Sequence, residues 1–214
     1  MEVPIIDYGV GNLHSLQRGL ERADATVTMS DDPEEIAAAE ALVLLGVGAF
    51  GECVRNSEPF HDVLVKAAEE TPILGICVGL QLMFTESTEG APDGETIDGL
   101  DLIPGRVERL PNHEVKVPHM GWNELTVERD HQLVDGIEDG DYAYFVHSYE
   151  SRVAYHTIAS CDYGFDFAAI VANEAGNVMG TQFHPEKSGE LGLRILQNFV
   201  NYAREYQDER ITVK

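Results

Sequence analysis

Positive charge is scarce in this sequence. Lysine and arginine together number 14 against 38 aspartates and glutamates, for a formal net charge of −24. The lysines are Lys66, Lys116, Lys187 and Lys214 alone. That balance opposes nucleic-acid binding, which needs a positive surface, and docking on anionic membranes. Cysteine is scarce too. Cys53, Cys77 and Cys161 are odd in number and far apart, which argues against a disulfide framework and against paired zinc ligands. No apolar run approaches the ~18 residues of a membrane helix. The start, Met1-Glu2-Val3-Pro4-Ile5-Ile6, lacks a basic segment followed by a long apolar one. A reducing cytoplasm is therefore expected. Internal repeats and low-complexity linkers are absent as well.

What remains is an ordinary globular composition over 214 residues, with 43% hydrophobic and 24% charged side chains. One domain over residues 1–214 is expected. The acids run from Glu2 to Glu209 without forming a block, so they read as a surface rather than a tail. An acidic, lysine-poor surface suits high salt, where screening removes the self-repulsion.

Short apolar runs alternate with helical patterns in the first third. Val3–Ile6 predicts a strand, and Leu13, Leu16, Leu20 and Ala23 fall at helix spacing. Thr26–Met29 predicts a second strand, and Asp31-Asp32-Pro33 a turn capping a short helix. Ala41–Leu45 and Pro72–Ile76 read as buried parallel strands around a helix at His61–Glu70. This alternation predicts an α/β fold, a mostly parallel sheet with helices on both faces. Glu86–Asp101 reads as a surface loop. Arg106–Leu110, Val115–Val117, Glu124–Val127, Tyr142–Val146, Arg152–Ala159, Phe167–Ala172 and Val178–Phe183 read as strands with few helices between, so this half is expected to be mixed or antiparallel. A last helix is predicted at Ser188–Tyr206, with Ser188 as its N-cap.

Gly75-Ile76-Cys77-Val78-Gly79 lies between a buried strand and the apolar run Leu80–Phe84, read as a helix. It has the pattern of a nucleophile elbow with cysteine in place of serine. Such a turn strains the nucleophile's backbone, and flanking glycines remove side chains that would clash. A helix N-terminus favours thiolate, and the free N–H of Val78 faces an oxyanion. The pentapeptide alone suits a buried cysteine between packing glycines equally well. Gln182-Phe183-His184-Pro185-Glu186-Lys187-Ser188 supplies a second feature. An extended link through Pro185 would set His184 and Glu186 on one side. His184 could then take a proton from Cys77 while Glu186 fixes its tautomer. Cysteine, histidine and carboxylate together make an acyl-transfer set. The third feature, Leu45-Gly46-Val47-Gly48-Ala49-Phe50, follows a predicted strand. It suits half of an oxyanion hole, or a simple βα turn. A phosphate loop fits less well, since no Gly-Lys-Ser/Thr follows.

These three motifs together resemble the class I, triad-type glutamine amidotransferases. Asp7-Tyr8-Gly9-Val10-Gly11-Asn12-Leu13, Pro118-His119-Met120-Gly121-Trp122-Asn123 and Tyr144-Phe145-Val146-His147-Ser148-Tyr149 further resemble the glutaminase subunits of imidazole glycerol phosphate synthases. The similarity runs from about Ile5 to Tyr202. It implies a flavodoxin-like sheet with added antiparallel strands, and no cofactor; His61, His113, His131 and His156 show no ligand spacing, so no metal site is expected. It implies Cys77 as nucleophile, His184 as base and Glu186 as its orienter. Gly46, Val47 and Gly48 would form a mobile oxyanion strand, with Val78 supplying the other N–H. Gln81 and the Ser148-Tyr149 backbone would hold the amino-acid part of L-glutamine. Asn12, Ser15, Met120, Trp122, Asn123 and Lys187 would face a (β/α)₈ cyclase subunit in a heterodimer. The family commonly has proline where this chain has Leu45, which bears on the resting geometry of the oxyanion strand. Rival readings are a glutaminase serving another synthase, a cysteine peptidase or esterase of similar fold, and a non-catalytic scaffold, which would need no intact triad.

Overall fold

A computed structural model of the chain describes residues 1–9 and 13–212. Strand β1 (Glu2–Ile6) leads to helix α1 (Leu13–Arg22), which buries Leu13, Leu16 and Leu20. Strand β2 (Thr26–Ser30) precedes helix α2 (Pro33–Ala38). The Asp32 carboxylate caps α2 by accepting the Glu34 N–H at 2.8 Å, and Pro33 stands in the first turn, where its missing N–H costs nothing. Strand β3 (Leu42–Gly46), helices α3 (Phe50–Ser57) and α4 (His61–Ala67), strand β4 (Ile73–Cys77) and helix α5 (Val78–Gln81) follow. The sequence pattern does not mark α3, because Phe50 and Cys53 are its only buried apolar side chains apart from glycine.

The second half is strand-rich: β5 (Phe84–Ser87), β6 (Ile97–Asp98), β7 (Ile103–Arg109), β8 (His119–Glu124), β9 (Thr126–Val127) and β10 (Tyr142–His147). Then come β11 (Tyr149–Ser151), β12 (Thr157–Asp162), β13 (Asp166–Ala172), β14 (Val178–Thr181) and helix α6 (Gly189–Thr212).

The large sheet has the order β2-β1-β3-β4-β14-β13-β12-β9. It is parallel from β2 to β14 and antiparallel beyond. Helix α1 packs on α6 and α2 on α4, so the central strands are covered on both faces. Every residue of β3 and β4 is buried, as expected of parallel strands between helix layers. A four-stranded sheet (β11-β7-β5-β6) and a two-stranded ribbon (β10-β8) complete the architecture. The end of β4, the chain leaving β14 and the end of β10 converge, and there the candidate site forms.

Several local expectations are corrected. The run Leu80–Phe84 is not a continuous helix. Its carbonyls are claimed from outside: Leu82 accepts from Leu100 N–H at 2.7 Å and Met83 from Leu102 and Ile103 at 2.9 Å each. Phe84 therefore opens a strand, and Glu86–Asp101 holds strand residues as well as loop. Val115–Val117 is not a strand, because Pro111 turns the chain and accepts from Glu114 at 2.9 Å and Val115 at 3.0 Å. Within Arg152–Ala159, a turn in which Ala154 accepts from Thr157 at 2.9 Å delays the strand to Thr157. Ser188 precedes α6, but its hydroxyl serves other groups, described below.

Candidate active site

Strand β4 ends at Cys77, and α5 begins at the next residue. Cys77 has φ 54° and ψ −113°, an unusual conformation for a non-glycine residue. The neighbouring glycines make the turn sterically feasible. A Cβ on Gly79 would stand 1.9 Å from the Leu44 carbonyl oxygen, and one on Gly75 would stand 2.8 Å from the Leu80 backbone. Both positions therefore exclude any larger residue, and the elbow is pressed against β3 and its own helix. Helix α5 is a single turn and carries little macrodipole. The charge that faces the sulfur comes instead from His184.

His184 leaves the end of β14 and is almost wholly buried. The link to Glu186 is not extended: Pro185–Lys187 forms a 3₁₀ turn, and that turn brings Glu186 back onto the ring. His184 Nδ1 and Glu186 Oε1 are 2.8 Å apart, both side chains 2% exposed. The other ring nitrogen is left for Cys77, whose thiol donates to the Val146 carbonyl at 3.9 Å and whose charge acts on the ring. Burial works against the imidazolium, but Cys77 and Glu186 outweigh it and push the His184 pKa up to about 9. The backbone of His184 is fixed in turn. Its N–H donates to the Tyr144 carbonyl at 3.1 Å, and the Ser188 hydroxyl donates to its carbonyl at 2.7 Å while accepting from Tyr144 N–H at 2.9 Å. Ser188 thus ties the histidine turn to β10.

These groups open on a cleft of about 420 Å³ lined by Val47, Gly48, Cys77, Val78, Gln81, Glu89, Pro118, Val146, His147, Ser148, Tyr149, His184 and Lys187. The substrate-side residues named from the sequence meet here, except Gly46. Gly46 ends β3, where an added Cβ would lie 2.5 Å from Gly79 N and 2.8 Å from the Tyr8 hydroxyl. Gln81 plays a bracing part that was not foreseen. Its amide donates to the Tyr149 carbonyl at 3.0 Å and to Gln182 Oε1 at 2.9 Å. Gln182 in turn points its amide at the Cys77 sulfur, 3.8 Å away. Lys187, expected at the partner face, lines this cleft.

Two residues of the site were missed. Gln182 stood in a motif read only for its histidine and acid. Glu89 fell in an acid-rich stretch read as surface loop. It accepts the Phe50 N–H at 2.9 Å, and burial raises its pKa against that bond and the charge of Arg109. No pattern in the sequence distinguished it from its acidic neighbours.

The remaining predicted positions lie on or near the ribbon. Met120 is 63% and Trp122 54% exposed, beside exposed Tyr142. Asn123 is half-buried and donates to the Asp162 carbonyl at 2.9 Å. Ser15 is half-buried on α1. Asn12 lies outside the described residues. Cys53 and Cys161 are buried thiols.

A thiol at a strained elbow, a buried imidazole on it and a carboxylate on the imidazole can carry acyl transfer. The model of the family described as glutamine amidotransferase class-I matches residues 4–202. The chain belongs to the class I glutamine amidotransferase family. Relatives of this amidotransferase include the imidazole glycerol phosphate synthase subunit HisH of Natronomonas pharaonis, 57% identical over 95% of this chain and 96% of that one. Those of Haloarcula marismortui and Methanosarcina acetivorans are 51% and 53% identical, over 96% and 92% of this chain and 97% of each relative. Among solved structures, PurLQS from Thermotoga maritima shares the fold, with TM-score 0.68 and 21% identity over 94% of this chain and 98% of the matched one.

Proposed function

We propose that this chain is the glutaminase subunit of an imidazole glycerol phosphate synthase. The observation that carries the reading is the Cys77–His184–Glu186 constellation, with Cys77 and His184 lining one cleft and Glu186 buried on the histidine, in a chain about half identical to HisH subunits over nearly its full length. The Cys77 thiolate attacks the side-chain amide carbon of L-glutamine, and the carbonyl electrons move onto oxygen. The Val78 N–H and an N–H of the Gly46-Val47-Gly48 strand receive that oxyanion. Collapse expels ammonia, protonated by the His184 imidazolium. The glutamyl thioester remains until water, deprotonated by His184, releases glutamate and restores the thiol. Glu186 keeps the imidazole in the tautomer this cycle needs. The Glu89 carboxylate suits the substrate α-ammonium. The Ser148-Tyr149 backbone, held by Gln81, receives its α-carboxylate end.

Free ammonia becomes mostly ammonium in neutral water and loses its nucleophilicity, so its acceptor enzyme is docked. The partner is a (β/α)₈ cyclase subunit. It uses the ammonia to form imidazole glycerol phosphate and aminoimidazole carboxamide ribotide in histidine biosynthesis. Exposed Met120, Trp122 and Tyr142 on the ribbon form the apolar part of the docking face, in a cytoplasmic heterodimer whose acidic surface is adapted to salt. Melting temperature and complex formation are expected to rise with KCl into the molar range, where the screening length falls to about 3 Å. Flat melts across salt would remove the salt adaptation without touching the glutaminase. For the glutaminase itself, a glutamine-like electrophile should label Cys77 and spare Cys53 and Cys161. Mass mapping that finds the label elsewhere, or no glutamate release with or without the cyclase, overturns the reading.

A further inference from the structure

The Tyr149 carbonyl takes two side-chain donors. Gln81 Nε2 stands 3.0 Å from it and His147 Nδ1 2.9 Å. A carbonyl oxygen only accepts and has two lone pairs, so His147 carries its proton on Nδ1 and the carbonyl is saturated. In the neutral ring the other nitrogen, Nε2, is an acceptor, and His119 Nδ1 lies 3.0 Å from it. His119 therefore donates through Nδ1, which leaves its Nε2 to accept from the Asn123 amide at 3.5 Å. The second N–H of that amide goes to the Asp162 carbonyl at 2.9 Å, and its oxygen accepts from Glu124 N–H at 2.9 Å. The chain of bonds thus has one direction only. Both rings are buried, and His119 is stacked between Phe145 and Tyr163, with ring centroids 4.8 and 3.9 Å away. Burial pushes His147 down to about 3, with His119 and His184 adding to the effect, and burial pushes His119 down to about 4. Both imidazoles are therefore neutral at physiological pH.

Tyr149 faces Arg109 across β11 and β7, and Leu110 N–H donates to the Ser148 carbonyl at 2.9 Å. Tyr149 thus belongs to a non-hydrogen-bonded pair, and its own N–H and C=O both lie on the edge of β11 away from β7. Strand β11 ends its sheet on that side, and Tyr149 lines the cleft. Resting on the glutaminase reading, we propose that His147 and His119 are positioning residues for the α-carboxylate of glutamine: the directed imidazole pair engages the Tyr149 carbonyl, so that the Tyr149 N–H on the same edge is presented to the carboxylate. A bare carbonyl oxygen beside that N–H would repel a carboxylate. Two donors saturate the oxygen and fix the peptide plane, and Gln81 alone supplies one of them. The tautomer matters as much as the ring. His147 with its proton on Nε2 would turn a lone pair on the Tyr149 carbonyl and an N–H on that of His119, and His119 excludes that form. His119 thus acts through His147, and His147 through the carbonyl.

The test is a split between KM and kcat, measured with the cyclase bound. His147→Phe fills the space among Phe145 and Phe167 without either nitrogen. It should raise KM for glutamine about three- to tenfold, the worth of one hydrogen bond, and leave kcat in place, because the carboxylate is held equally before and during the reaction. His147→Asn, which keeps a donor where Nδ1 stands, should return KM toward the native value. His119→Phe keeps the stack and frees the tautomer, for a rise of about two- to fivefold. The double variant should be no worse than His147→Phe alone, since the outer ring acts only through the inner one. A second readout needs no turnover. A glutamine-shaped chloroketone, which carries the α-carboxylate, should label Cys77 of His147→Phe about three- to tenfold more slowly, whereas iodoacetamide, which has none, should label it at the native rate. Unchanged KM and chloroketone labelling overturn the proposal, as do additive effects of the two substitutions or equal slowing by both reagents, which a merely structural role predicts. If His147→Phe does not fold, His119→Phe decides by the same two readouts. Failure of the native chain to release glutamate overturns the glutaminase reading and the proposal with it.

Discussion

The two walls of the cleft are built on opposite principles. The elbow wall, β3, β4 and α5, is buried residue by residue, with three glycines at which a single added carbon would collide. The facing wall, the β8–β10 ribbon, has only two strands and carries Met120, Trp122 and Tyr142 into solvent. An isolated two-stranded ribbon is marginal in water. This one is held from behind, by Phe145 packed against Phe167 and Phe183 and by the stacked His119–Phe145 pair. Its outer face has no such cover. The difference teaches where chemistry and coupling reside. The elbow fixes a cysteine in a strained turn, whereas the ribbon ends at His147 in the cleft and presents apolar side chains at its surface.

The largest expected effect falls on the elbow wall. Cys77→Ala removes the proposed nucleophile, and glutamate release should drop to background in the chain alone and in the complex. Gel filtration with the cyclase should still show the heterodimer, because the substitution lies in the buried wall. Appreciable turnover by this variant would deny Cys77 its role. Trp122→Ala is the converse. It should weaken the heterodimer about 10- to 100-fold, as truncation of an exposed aromatic anchor does, with stimulation of hydrolysis regained at saturating cyclase. Titration calorimetry reads the affinity. An unchanged Kd would move the docking face off the ribbon.

This contrast also explains what was legible in the sequence. The elbow announces itself because its demands are local. Gly75 and Gly79 are required by contacts within a few residues or across one strand, so the pattern survives in one dimension. The parallel core was equally plain, since β3 and β4 are continuous apolar runs. Helix α3 was not, because its burial rests on two side chains. The fate of Leu80–Phe84 was decided by N–H groups about twenty residues away, and no local propensity records such competition. Glu89 and Gln182 became visible only when folding brought a loop acid to the cleft and an amide just past β14 to the Cys77 sulfur. His184 and Glu186 were rightly paired, but through a turn rather than an extended link.

A pH profile sharpens the account of the elbow wall. His184 is held protonated up to about pH 9 by Cys77 and Glu186, against its burial. In the proposed cycle the imidazolium is the acid that ammonia departure needs, so kcat/KM should stay level through neutral pH and fall about tenfold per unit above pH 9. The folding contribution of this group has the same sign. It is complete below the unfolded value near 6.5 and is lost as pH rises through about 9. Glu186→Gln removes one of the groups that raise the histidine, and the break should move to lower pH. A break unmoved by that substitution would assign it to another group.

The smallest effect is a stability difference in the four-stranded sheet, at Glu150 on β11. Its carboxylate is fully buried, and both oxygens lack a hydrogen-bond partner among the described residues. Arg152 Nε approaches Oε1 to 3.1 Å, but half of that arginine is exposed, and Glu108 stands opposite on β7. Burial raises the Glu150 pKa to about 7, with Arg152 opposing and Glu108 assisting. The sign follows from linkage. Below the unfolded value near 4.5 the carboxyl is neutral in both states and costs nothing. Between 4.5 and 7 the native state binds the extra proton, so stability falls as pH rises, and above 7 the full cost of a buried charge is present. Glu150→Gln keeps the shape and removes the charge. At pH 8 it should stabilise the chain by about 1–3 kcal/mol, a rise of roughly 2–12 °C in Tm for a chain of this size. At pH 4 the two proteins should melt together. A variant less stable than the native chain at pH 8 would show that the Arg152 pair outweighs the burial, and that this acid strengthens the four-stranded sheet instead of weakening it.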